Sequence, residues 1–237
     1  RGGFGDVYVV KHCFTGKAFA LKVMDKRRVK MKQSEDLVLH ERNILVKVDS
    51  PFIASLRYAF TTEIELCLVL DLMPGGDLGY HLGRVKRFRP EAARYFIART
   101  ILAIASLHAQ RIVFRDLKPD NILLDKQGRS KLTDMGLATK LKNGALRGVA
   151  GTRGYWAPDM LRRNADGKRK KYDQRVDFFS LGCVLYELLV GVCPFRTERA
   201  ASWPLTEEDE RDVMLQLEKE GEIDRVTAAA ADASAAA

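Results

Sequence analysis

Residues 114–124, FRDLKPDNILL, limit this chain more than any other stretch of comparable length. Pro119 has no backbone donor, and it disfavours a helical residue before it, so no helix runs through 116–121. Asp116, Lys118 and Asn121 are therefore held together in a loop. Within six positions that loop offers a carboxylate, an ammonium and a carboxamide. Phosphoryl transfer needs those three groups: an acceptor that orients a hydroxyl, a cation on the moving group and an oxygen ligand for a divalent metal. Downstream, Asp134 before Met135 and Gly136 can supply a second metal oxygen.

The rest of the chain divides at MPGG, 73–76, a sharp Pro-Gly-Gly break. Before it, VYVV and AFALKVM read as strands around the CFTGK turn, followed by FIASLRYAF and IELCLVLDL. Between these pairs, Ser34 is a candidate N-cap, and Leu37, Glu41, Ile44, Leu45 and Val48 recur at helical spacing. After the break, Pro90 opens a helix through EAARYFIARTILAIASLH, and DFFSLGCVLYELLVG reads as a buried helix stopped by Gly191. Thr206 caps a further expected helix that ends near Gly221. The fold class is thus α+β and bilobal. A small antiparallel-sheet lobe with one main helix covers 1–72, a larger, mostly helical lobe covers 73–225, and 226–237 is a low-complexity tail.

Two residues in the small lobe break the apolar pattern. Lys22 shares a strand face with Ala20 and Met24, and Glu41 lies on the apolar stripe of the following helix. Each could snorkel to solvent. A strand-to-helix ion pair accounts for both at once, because an unpaired buried charge is costly. The opening RGGFGDV is either a hairpin turn or a phosphate-covering loop, since glycines let backbone N–H groups approach phosphate oxygens.

In order along the chain, G-x-G-x-x-G-x-V (from its second residue), A-x-K, the Arg-Asp loop, Asp-x-Gly and Ala-Pro-acid resemble the eukaryotic protein kinase catalytic domain from residue 1 to about 220. The resemblance implies ATP and Mg²⁺ as cofactors. It gives Gly2, Gly3, Gly5 and Val7 to the phosphate-covering loop, and Lys22, paired with Glu41, to the α- and β-phosphates. It assigns Asp116 to the substrate hydroxyl and its proton, Lys118 to the transferring phosphoryl, and Asn121 and Asp134 to the metal. Residues 71–73 become a hinge meeting adenine through its backbone, including Asp71 and Met73, with Leu70 as gatekeeper. Asp77 grips the ribose, and Val7, Ala20 and Leu123 enclose the adenine ring. DLKPDN resembles serine/threonine rather than tyrosine kinases. DLMPGGDLGYHL, KRRVKMKQ with LHERNIL, and VAGTRGYWAPD are similar to the G-protein-coupled receptor kinases. Relative to the family pattern the chain is expected to be truncated at both ends.

Three positions depart from the pattern. Phe114 replaces histidine, Met135 replaces phenylalanine in an apolar column with Leu45, Leu56 and residue 114, and Asp159 replaces glutamate. They motivate an alternative reading, a pseudokinase or scaffold that binds nucleotide or partners without efficient phosphotransfer. The net charge of +9 favours anionic partners, and basic clusters at 25–32 and 162–175 supply much of it. No aromatics are interleaved with them, so nucleic acid is not an expected partner. The resemblance implies protein substrates whose serines or threonines are flanked by acids, as in receptor tails. It also implies a cytoplasmic enzyme recruited to the inner face of the plasma membrane, with membrane contact only through regions outside this sequence. No apolar run approaches the ~20 residues of a membrane span. The four cysteines show neither metal nor disulfide spacing and are expected to be reduced thiols.

In the activation segment, 134–159, Gly148 stands where related kinases carry a phosphorylatable threonine. Thr152 matches a structural threonine expected to bond Asp116 and Lys118. Thr139 lies too near Asp134 to serve as the switch. Loop phosphorylation is therefore not expected to activate this chain, and ordering is expected from partner contact.

Overall fold

A computed structural model describes residues 6–31, 35–141 and 144–196. Gly2, Gly3, Gly5, the Ser34 cap, the helix expected after Thr206 and the tail lie outside the described residues.

Strands β1 (Asp6–Lys11), β2 (Ala18–Asp25), β3 (Leu56–Thr61) and β4 (Glu65–Asp71) form one antiparallel sheet in the order β1-β2-β4-β3. Cross-strand partners share a face. Val7 opposes Lys22, which opposes Leu68, and Ala20 opposes Leu70. These residues and Met24 line the inner face, against which helix α2 (Glu35–Leu45) packs. Tyr8, Leu21, Val69 and Tyr58 line the outer face, where Tyr8 and Tyr58 are exposed.

This lobe adds one element to the sequence reading and corrects another. The basic run after Asp25, to which no element is assigned from the sequence, forms helix α1 (Lys26–Met31), which buries Val29, while Asp25 Oδ1 accepts the N–H groups of Arg27 and Arg28. Strand β3 starts at Leu56 rather than at Phe52. The segment before it is drawn instead to Leu132 of the other lobe, with Ala54 N–H donating to Leu132 O and Leu132 N–H to Phe52 O. A bulge between Leu56 and Tyr58 then turns Leu56 inward and aims Arg57 at the hinge.

The larger lobe contains α3 (Leu78–Val85), α4 (Pro90–Ala109), β5 (Ile112–Val113), a 3₁₀ turn (Pro119–Asn121), β6 (Ile122–Leu124), β7 (Ser130–Leu132), β8 (Thr139–Lys140), α5 (Pro158–Leu161) and α6 (Val176–Val190). Pro90 sits in the first turn of α4, and Gly191 ends α6 with φ 95°, where a Cβ would lie 2.2 Å from Lys86 O. The helix α3 was missed in the sequence: it is short and carries Gly79 and Gly83, but Asp77 caps it by accepting the Tyr80 N–H at 2.7 Å.

The main core runs through both lobes, from Met24 and Leu68 to Ile104, Phe114 and Leu188. Phe114 and Met135 are fully buried in it, with Leu45 and Leu56 in the same cluster, so both apolar departures from the family pattern fill the core. A second cluster joins Val113, Ala157, Met160, Tyr172 and Val176 with Leu141, Leu146 and Trp156. Among the described residues no helix is long and apolar enough to cross a membrane. All four cysteines are free, and only Cys13 is exposed.

Candidate active site

The ion pair expected from two isolated polar residues is formed. Lys22 Nζ donates to Glu41 Oε1 at 2.7 Å and to Oε2 at 2.9 Å. Burial lifts the Glu41 carboxyl above its ordinary value, Lys22 opposes the lift, and the Asp134 charge adds to it. A Cβ on Gly136 would lie 3.1 Å from Asp134 Oδ1 and 3.9 Å from Glu41 Oε2, so a small residue is needed where these two carboxylates approach.

The loop before Pro119 leaves β5 and turns at Arg115, whose φ of 68° is rare for a side-chain-bearing residue. That turn is held by Asp177, a fully buried acid in the first turn of α6. Its carboxylate accepts Phe114 N–H at 2.9 Å, Arg115 N–H at 2.8 Å and His108 Nε2 at 2.7 Å. The sequence reading overlooked Asp177. The available signal was an acid inside an otherwise apolar helix, the anomaly that exposed Glu41.

Asp116 is buried and its carboxylate meets three donors. Thr152 Oγ1 donates to Oδ1 at 2.6 Å, while Lys118 Nζ at 3.1 Å and Asn121 Nδ2 at 3.0 Å donate to Oδ2. An ionised carboxylate accepts about four hydrogen bonds, so one site stays open for a hydroxyl. Thr152 Oγ1 also accepts from Lys118 Nζ at 2.6 Å, closing a three-residue network. Gly151 makes this approach feasible: at φ 105°, a Cβ there would fall 2.1 Å from Arg115 O.

Asn121 uses its amide nitrogen twice, on Asp116 O at 2.7 Å and on Asp116 Oδ2. This fixes the orientation of the amide, and among the described residues nothing donates to its oxygen. Thr133 N–H donates to Asn121 O at 2.9 Å, which ties the segment leading into the exposed Asp134 to the Asn121 turn. Asp134 has φ 63° and accepts Gly136 N–H at 3.2 Å. An orphan amide oxygen and an exposed carboxylate are hard donors that fit a hydrated divalent cation such as Mg²⁺.

Between the lobes, the Asp71 carboxylate is occupied by structure. It accepts Arg57 Nε at 2.6 Å, Lys131 Nζ at 2.8 Å and Ser55 N–H at 3.2 Å. Burial raises its pKa, yet these three bonds together hold it below the ordinary carboxylate value. Its side chain thus ties β3 and β4 to β7. Among the described residues no hydrogen bond takes up the backbone of Met73. Leu70 and Ala20 face one another on the inner side of the sheet, with Val7 half-exposed on the same face. Asp77 and Leu123 meet in an antiparallel bridge. Of the residues expected to enclose a nucleotide, Val7, Ala20 and Leu70 thus share one sheet face, and Asp77 and Leu123 are joined to each other.

Asp159 is exposed and pairs with Arg162 at 3.2 Å, so this shortened acid lies on the surface.

The comparisons agree with this geometry. The protein kinase domain family matches residues 1–234. The chain is 44% identical over 204 residues to G protein-coupled receptor kinase 2 of Caenorhabditis elegans, covering 84% of this chain and 28% of the relative. It is 45% identical over 202 residues to beta-adrenergic receptor kinase 1 of Homo sapiens, covering 84% and 29%. It is 41% identical over 225 residues to G protein-coupled receptor kinase 1 of Caenorhabditis elegans, covering 94% and 34%. The chain thus spans about a third or less of the length of these relatives. With its ordered motifs folded around one polar network, the chain belongs to the protein kinase domain family.

Proposed function

We propose that this chain transfers the terminal phosphoryl group of Mg²⁺-bound ATP to serine and threonine hydroxyls of proteins, including activated G-protein-coupled receptors. The observation that carries the reading is the closed Asp116–Lys118–Thr152 network, to which the Asn121 amide is bonded. Asp116 orients the acceptor hydroxyl and takes its proton as the oxygen bonds to phosphorus and the bond to the leaving diphosphate breaks. Lys118 carries positive charge to the moving group, and Lys22, aligned by Glu41, holds the nucleotide phosphates. Asn121 and Asp134 would hold Mg²⁺, which would neutralise phosphate charge.

The names of the relatives support receptor substrates. The basic net charge supports acceptor sites flanked by acids. The scaffold alternative rests on departures at 114, 135 and 159. Two of these are core-filling and the third is on the surface, and none removes a charged group from the network.

The test is Asp116→Asn in the full-length protein. Phosphotransfer should fall by about 100-fold or more while a Mg·ATP-dependent thermal shift persists. Unchanged turnover overturns the assignment.

A further inference from the structure

The basic stretch 162–175 takes no part in the phosphotransfer network. It contains seven basic residues and two acids. Residues 162–170 form a hairpin: Arg163 faces Arg169 in an antiparallel bridge, Lys170 N–H donates to Arg162 O at 2.8 Å, and Asn164 N–H donates to Lys168 O at 2.8 Å. Gly167, at φ 75°, closes the turn onto Asn164 O.

Arginine and lysine divide the work here. Arg163 donates to Gly167 O at 2.8 Å, and Arg169 donates to Leu161 O at 2.9 Å, at the end of α5. Arg147, from the activation segment, donates to Arg169 O at 2.6 Å. These forked side chains satisfy carbonyls and fix the hairpin in place. Arg162 and Lys168 are matched by the exposed acids Asp159 and Asp166. Lys170 and Lys171 are exposed, and among the described residues neither side chain makes an ion pair or hydrogen bond. The root of the hairpin is continuous with the activation segment: Leu146 N–H donates to Tyr172 O at 2.8 Å, and Tyr172 N–H to Leu146 O at 3.0 Å.

A rigid support carrying two unmatched ammonium groups beside the activation segment fits an acidic polypeptide. A lipid surface fits less well, because polybasic membrane recognition draws on about four or more freely presented cations, and the arginines here are engaged with backbone oxygens.

We propose that the hairpin 162–172, through Lys170 and Lys171, is a docking site for an acidic segment of the protein substrate, separate from the residue that receives phosphate. This rests on the phosphotransfer reading above. Docking at a surface pair steers and retains the substrate without touching the reacting atoms, so it acts on KM rather than kcat.

The test uses the full-length protein and two peptides with the same acceptor serine, one continuing into a glutamate tail and the other into a glutamine tail. The expected result is a KM roughly tenfold lower for the glutamate-tailed peptide at equal kcat, an advantage that added salt erases. In Lys170→Glu/Lys171→Glu the KM ratio falls to about one. Fluorescence anisotropy of the labelled glutamate tail on Asp116→Asn protein reads docking without turnover, so loss of phosphotransfer alone would count against the kinase reading and not against the dock. An undiminished tail advantage in the double variant, or none in the parent, overturns the proposal. So does a double variant that keeps the tail advantage but loses binding to phosphatidylserine vesicles, which would assign the lysines to a membrane.

Discussion

The Thr152 hydroxyl donates to Asp116 Oδ1 at 2.6 Å, joining the end of the activation segment to the carboxylate of the loop before Pro119. The same oxygen accepts from Lys118. Thr152→Ala leaves Lys118 and Asp116 without their shared partner, and kcat should drop by roughly tenfold or more with little change in ATP affinity. Thr152→Ser keeps the hydroxyl and should retain most of the rate. Steady-state kinetics of the two variants check this; equal losses would show that the methyl group, not the hydrogen bonds, matters.

Glu41 should leave a pH signature. Its carboxyl is raised above 4.5, mainly by burial, despite the pull of Lys22. An acid with a raised folded pKa holds its proton more tightly when folded. That stabilisation is present below 4.5 and is lost as the pH rises through the folded value. Relative to Glu41→Gln, the parent protein should therefore lose stability as the pH climbs above 4.5. Urea unfolding of both across that range measures the gap, and a gap that moves the other way sinks the account. Phosphotransfer by the glutamine variant should still fall by about tenfold or more, because Lys22 loses its charged partner.

Much of this site was legible because its residues violate the local pattern. Lys22 and Glu41 were polar positions on apolar stripes, and Pro119 forced a loop where charges cluster. The hidden parts depend on partners distant in sequence. Nothing near Arg57 signals that a bulge aims it at Asp71, and nothing in the basic run 25–32 marks a helix built over Val29. Glycines at 79 and 83 mask α3, whose cap is the residue that the family resemblance assigns to ribose.

Asp177 combines the two: an acid inside an apolar helix is a local anomaly, but its three partners lie 62 to 69 residues away. Its carboxylate meets two backbone N–H groups and His108 in a site with no solvent exposure. Asp177→Asn replaces one acceptor oxygen with an amide that faces a donor. The variant should lose about 2–4 kcal/mol, since hydrogen bonds to a charged group are strong and a buried donor left unmatched is costly. Urea denaturation gives the stability. Kinetics at low temperature, where the variant stays folded, should still show a lowered kcat because Arg115 is no longer held at its left-handed turn. A stable variant with normal kcat would remove Asp177 from the positioning role.

The ordering of the activation segment can be tested against phosphorylation. Loops ordered by phosphate use arginine–phosphate pairs. Here Arg115 Nε instead donates to Leu137 O at 2.9 Å, and Gly148 offers no hydroxyl. Thr139 lies in β8, paired with Val113 of β5 and half-buried. The segment is held instead by the reciprocal Leu146–Tyr172 backbone bonds and by Leu146 packing in the second core cluster. Thr139→Val and phosphatase treatment should both leave activity within about twofold of the parent, as expected of a residue whose role is strand pairing. Leu146→Pro removes the N–H that meets Tyr172 O and should cut kcat roughly tenfold or more while the protein stays folded. Leu146→Met, which keeps both the N–H and the apolar volume, should be nearly neutral. A phosphate on Thr139 that activity requires would overturn this account, as would a fully active Leu146→Pro enzyme.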